Sequence, residues 1–214
     1  MDDAFFLKYN LKPWTIKPFE LLFHAEIHFV KSTDYDKRLA LISFDNSIEV
    51  SISTYLSLHP SQRNGKNYAK KYVEEKLQNY HTKIDFFVER INELRLPLHT
   101  ERSEIIFYHE QRNNQYHGAD SSAPSTMVLN KIREIAIWAF SVLFEIHNVE
   151  NLLKDAINES ETSLMTIPEK YIKSEVEKIK SEHDESVLIA SILGSWDDNN
   201  PQDKKVIEEF VNEF

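Results

Sequence analysis

Apolar residues recur along most of this chain at spacings of three and four, the period of an amphipathic helix rather than of a strand. Leu21, Leu22, Ala25, Phe29 and Val30 keep that spacing and predict a first helix over 18–31. Ser32, Thr33 and Asp34 supply a break and an N-cap. Leu41, Phe44, Ile48, Ile52 and Tyr55 then form one stripe on a second helix over 36–58. Pro60, Asn64 and Gly65 mark 59–67 as loop. Leu77, Tyr80, Ile84, Phe87, Ile91 and Leu94 follow at spacings of 3, 4, 3, 4 and 3. That heptad-like seam predicts a third helix over 68–94, packed against neighbours and closed by Pro97. Pro124 suits the first turn of a further helix reaching 148. Its dense apolar set of Ile132, Ile135, Ala136, Ala139, Val142, Leu143 and Ile146 suits a central position.

Long helices with short joints predict an all-α bundle of four to five main helices. Residues 1–15 read as an irregular arm, with Pro13 and Trp14 packing on the body. Beyond 148 the predicted helices are shorter and more charged, over 149–158, 168–182 and 185–195, with a last one from Pro201. The expected layout is therefore a bundle over 1–148 and a smaller acidic helical extension over 149–214. The last helix is still amphipathic at Phe214, which suits a piece of a longer protein.

Composition narrows the chemistry. A 41% apolar share of 214 residues is enough for a packed core. The absence of cysteine removes disulfide scaffolds, zinc–thiolate sites, thiol catalysis and iron–sulfur clusters. Gly65, Gly118 and Gly194 are too scattered to build a phosphate-cradling loop. No apolar run approaches the length of a membrane span, and the first residues lack a signal-peptide pattern, so a cytoplasmic protein is expected. The formal charge of −10 is unevenly spread. Residues 1–148 carry 18 basic and 19 acidic side chains, whereas 149–214 carry 7 and 16. The first part is nearly neutral, so a polyanionic partner is not excluded there.

The richest polar stretch is Glu110-Gln111-Arg112-Asn113-Asn114-Gln115-Tyr116-His117-Gly118. Arg112 and His117 stand five positions apart, which on a continuous helix separates them by about 140°. A site using both therefore requires a bent segment or two chains. An Arg and a His this close in sequence are common and by spacing alone assign no chemistry. RNA cleavage by the RNA's own 2′-hydroxyl, which the family resemblance given next implies, would draw on both residue types. An imidazole titrates near pH 6.5, and a positioned proton-transfer group contributes roughly 10²–10⁴-fold. A guanidinium offers a fixed fork of donors to phosphate oxygens. Arg112 is then the phosphate clamp, His117 the general acid or base, and Asn113 the residue that orients the His or the phosphate.

Arg112-Asn113, a four-residue gap, and His117-Gly118 resemble the motif of the HEPN superfamily of helical bundles. The second-helix stretch Ala40 to Glu49 resembles that family's corresponding helix, with an acidic residue on an otherwise apolar element. The resemblance covers roughly residues 20–148. It implies a HEPN-like bundle, a homodimer with two motifs facing across a cleft, and a metal-independent endoribonuclease in a defence or toxin-like setting. RNA is then the substrate, an antitoxin or other regulatory protein a candidate partner, and no cofactor, metal or membrane is called for. The alternative is a catalytically inactive dimeric module that binds a partner protein or a nucleotide. Some members carry a modifiable tyrosine two residues after the motif His, where this chain has Ala119.

Asp45 and Glu49, one turn apart on the second helix, are supporting candidates that tune His117 or hold Arg112. Tyr116 is a candidate for stacking on a base. His109, eight residues before His117, offers a second imidazole. His24 and His28 have a metal-chelating spacing, but Ala25 stands where a metalloprotease has Glu, and a half-buried structural pair is expected. Ser121, Ser122 and Ser125 read as loop and capping residues. The apolar block Val187 to Trp196 reads as a docked helical appendage in an acidic, solvated surrounding.

Overall fold

A computed structural model describes Tyr9, residues 11–117 and residues 122–165, leaving aside the side chains of Tyr116, His117 and 161–165. The helices expected over 168–182, over 185–195 and from Pro201 lie outside the described residues, as do Gly118, Ala119 and Ser121. Among the described residues the regular structure is all helical. It comprises α1 (Ile16–Lys31), α2 (Asp34–Ser57), α3 (Lys70–Lys76), α4 (Tyr80–Glu93), α5 (Arg102–His117), α6 (Thr126–Phe144) and α7 (Val149–Met165). Short 3-10 turns at Pro13–Thr15 and Pro60–Arg63 complete it. None of these helices is long and apolar enough to cross a membrane.

α2 is the hub. The left-handed backbone of Ser32, at φ 53°, ends α1 and turns the chain. The Thr33 hydroxyl then accepts from the Asp36 N–H, and Asp34 and Asp36 place negative charge at the N-terminal end of the helix dipole. Buried positions on α2 come in adjacent pairs: Ala40 with Leu41, Phe44 with Asp45, Ser47 with Ile48, Ser51 with Ile52, and Tyr55 with Leu56. Such pairs bury a band wider than a single stripe. Accordingly α2 meets α1, α4, α5 and α6. Small Ala40, Ser47 and Ser51 leave room for neighbouring backbones to approach.

Phe19, Phe23, Phe44, Phe86, Phe87 and Phe140 are fully buried in the common core. Each such side chain contributes about 1.5–3 kcal/mol through removal from water. On α1 the buried face runs through Ile16, Phe19, Leu22, Phe23 and Ala25, and Val30 is 62% exposed. Val30 therefore leaves the stripe that spacing assigned to it, whereas Phe29 of the same turn packs on Phe44 of α2.

The single helix expected over 68–94 is two helices. Asn79 breaks it, because its side chain accepts from the Thr82 N–H while the Thr82 hydroxyl accepts from the Asn79 N–H, closing a capping box. The break keeps Tyr80, Ile84, Phe87 and Ile91 in one buried stripe on α4. The polar stretch after Ser103 is helical throughout α5, which Ile105, Ile106 and Tyr108 anchor in the core. Ser125 caps α6 by accepting from the Val128 N–H.

Met1–Ser160 groups as one compact unit and Glu161–Phe214 as another. Val149, Leu153 and Ala156 of α7 are buried in the core of the first.

Candidate functional site

On α5, His109, Arg112 and Asn113 follow at i, i+3 and i+4, so one face presents all three. α5 packs against both α2 and α4. Across from this face stands Asp45 of α2, only 1% exposed. A buried carboxylate requires compensating partners, and α5 supplies two. His109 Nδ1 donates to both carboxylate oxygens, at 2.9 and 3.1 Å. Arg112 Nε lies 3.6 Å from Oδ2. One carboxylate thus hydrogen-bonds an imidazole and ion-pairs with a guanidinium from neighbouring turns of the same helix.

Both groups keep some contact with solvent, with 16% of the His109 side chain and 27% of Arg112 exposed. Arg112 Nη1 donates to Asn113 Oδ1 at 2.9 Å, which fixes the guanidinium plane. Because a carboxylate only accepts, the proton of a neutral His109 sits on Nδ1 and its lone pair on Nε2.

α4 completes the arrangement. The Tyr80 ring stacks on His109 with centroids 3.6 Å apart and planes 13° apart. Its hydroxyl is buried beside Asp45 without a hydrogen bond of good geometry. Burial, and secondarily the Asp45 charge, hold the phenol well above its ordinary range. One turn along α2, Glu49 accepts from Lys83 Nζ at 2.9 Å. Each of three helices therefore contributes two polar side chains to one seam: Asp45 and Glu49, Tyr80 and Lys83, His109 and Arg112. Two acidic and two basic groups leave it electrically balanced.

Of the residues singled out from sequence, the structure brings Asp45, His109, Arg112 and Asn113 together. Glu49 sits in the same seam, engaged by Lys83 rather than by Arg112. The side chains of His117 and Tyr116 lie outside the described residues, but α5 remains helical through position 117. Positions 112 and 117 are accordingly about 140° apart around its axis. Tyr80 and Lys83 were not singled out from sequence. The only local signal was a lysine three residues after a tyrosine, beside the apolar stripe of α4.

The histidines of α1 do not act as a pair. His28 Nδ1 donates to Asp36 at 2.8 Å, while His24 stands 4.0 Å from Glu20. No group of three or more His, Asp or Glu arranged to hold a metal ion occurs among the described residues. Glu26, between them in sequence, is buried and paired with Arg133 of α6.

No family model, curated protein or solved structure matches this chain.

Proposed function

We propose that the chain is a metal-independent endoribonuclease of HEPN type, acting as a homodimer in a defence or toxin-like setting. RNA is cut by attack of its 2′-hydroxyl on the adjacent phosphorus. Arg112 clamps the phosphate, Asn113 orients the guanidinium, and His117 moves a proton. The observation that carries this reading is the buried Asp45 carboxylate, ion-paired with Arg112 at 3.6 Å and hydrogen-bonded to the His109 imidazole. A guanidinium fixed before substrate arrives meets the pentavalent phosphorane without having to reorganise. The helical register supports a dimer, because a site that uses positions 112 and 117 together draws them from two chains.

The charge balance of the seam favours a second reading, a catalytically inactive HEPN-like module that binds a partner protein or a nucleotide. Non-specific RNA affinity comes mainly from phosphate contacts, and a neutral face offers few.

Incubation of transfer RNA with native protein, Arg112→Ala and His117→Ala, in EDTA, separates the two. The ribonuclease reading expects 2′,3′-cyclic phosphate ends from the native protein alone. Intact RNA with a correctly folded dimer selects the binding module.

A further inference from the structure

We infer that His109, held by Asp45 and stacked on Tyr80, is the base of this site and takes the proton of the RNA 2′-hydroxyl. The inference rests on the ribonuclease reading above and divides its proton transfers between two histidines.

Three features of the seam carry it. First, His109 commits Nδ1 to Asp45, and Nε2 makes no hydrogen bond among the described residues. The side chain is 16% exposed, so with Nδ1 held, Nε2 is the nitrogen open to a substrate. Second, the ring cannot turn. The two carboxylate oxygens fix its edge and the Tyr80 ring covers its face at 3.6 Å. Such a constraint aims Nε2 in one direction, as proton transfer in a transition state requires. Third, Arg112 approaches the same Oδ2 that accepts from His109. The phosphate clamp and the base thus share one anchor, matching a 2′-hydroxyl that neighbours the phosphorus it attacks.

His109 Nε2 removes the 2′-hydroxyl proton as the 2′-oxygen bonds to phosphorus. The bond from phosphorus to the 5′-oxygen breaks, and that oxygen takes a proton from the His117 imidazolium. The products are a 2′,3′-cyclic phosphate and a 5′-hydroxyl. Asp45 balances the positive charge that forms on His109. Tyr80, kept a neutral phenol, does not compete for the proton.

The test uses a defined RNA and a matched copy with a sulfur bridging at the 5′ position of the cut, a leaving group that departs without an acid. His109→Ala and His109→Gln, the second retaining a donor toward Asp45, are compared with His117→Ala. Rates are referred to the folded fraction from circular dichroism. Both His109 variants are expected to cut the ordinary RNA roughly 10²–10⁴-fold more slowly, to bind it as the native protein does, and to remain slow on the sulfur-bridged RNA. His117→Ala recovers on that substrate. Added imidazole raises the rate of His109→Ala but not of His109→Gln, whose side chain fills the gap. Native cleavage rates in folded His109→Gln, or recovery of both His109 variants on the sulfur-bridged RNA, overturn the assignment and leave the ribonuclease reading standing. Absence of cleavage by the native protein overturns that reading and this assignment with it.

Discussion

Tyr80 lies flat on His109, with ring centroids 3.6 Å apart, and buries its hydroxyl next to the Asp45 carboxylate. The ring and the hydroxyl have separable effects. Tyr80→Phe keeps the stack and removes a buried polar atom that lacks a well-formed hydrogen bond. Its stability is expected to equal that of the native protein or exceed it by up to about 1 kcal/mol. Tyr80→Ala removes the stack and leaves a cavity, at a loss of about 3–5 kcal/mol. Urea unfolding measures both. A loss above about 2 kcal/mol in Tyr80→Phe identifies a strong hydrogen bond to Asp45 instead.

The corner between α1 and α2 is expected to weaken in acid. Hydrogen bonds from the Thr33 hydroxyl, and then from His28, hold the Asp36 carboxyl below its ordinary value of 3.8. A carboxyl with a lower pKa in the folded state contributes stability that is fully present above the unfolded value and lost as pH falls through the folded one. The stability difference between native protein and Asp36→Asn should therefore be constant near neutrality and shrink as pH drops below 3.8. Thr33→Ala, which removes the cap of α2 as well, is expected to cost about 1 kcal/mol. Urea midpoints at a series of pH values give both quantities.

Glu26 behaves in the opposite sense. Burial raises its carboxyl above 4.5, and Arg133 only partly opposes the shift. The folded protein then binds this proton more tightly than the unfolded chain, so the group's contribution falls as pH rises from 4.5 through the folded value. Glu26→Gln removes that dependence and gains on the native protein between pH 4 and pH 7, by the same linkage. Arg133→Met leaves the carboxylate buried and uncompensated, and should lose about 3 kcal/mol at pH 7. Equal pH slopes for native protein and Glu26→Gln contradict this account.

Two residues of α1 separate spacing from burial. Phe23 is fully buried and Val30 is 62% exposed. Phe23→Ala is expected to cost about 3–5 kcal/mol, and Val30→Ser to stay within about 0.5 kcal/mol. Thermal or urea unfolding distinguishes them at once.

That contrast marks what the sequence made legible. A three-four period identifies a helix and its central stripe, and Leu41, Phe44, Ile48, Ile52 and Tyr55 are all buried as the spacing of α2 predicts. It does not say which positions of a last turn a neighbouring helix covers: Phe29 packs on Phe44, while Val30 is exposed. The break before Tyr80 was hidden for a related reason. Leu77, Tyr80 and Ile84 stay in phase across it, and only the Asn79–Thr82 capping pair, a local signal, betrays the new start.

The site divides in the same way. Arg112 and Asn113 are residue types suited to phosphate chemistry, and Asp45 is a carboxylate placed to tune His117 or hold Arg112. The bond that joins His109 to Asp45 spans 64 positions, and no local pattern records it. Tyr80 drew notice as an apolar residue of a stripe, and its role in fixing an imidazole follows only from the packing of α4 on α5.

Under the proposed function, Arg112 anchors a site in which RNA is cut by its own 2′-hydroxyl. The most direct measurement pairs an RNA that the protein cuts with a copy carrying a single 2′-deoxy nucleotide at the cut, both in EDTA. The account predicts cleavage of the ordinary RNA to 2′,3′-cyclic phosphate and 5′-hydroxyl ends, no cleavage at the deoxy position, and loss of cleavage in Arg112→Ala. Cleavage at the deoxy position, or native rates in Arg112→Ala, contradicts it.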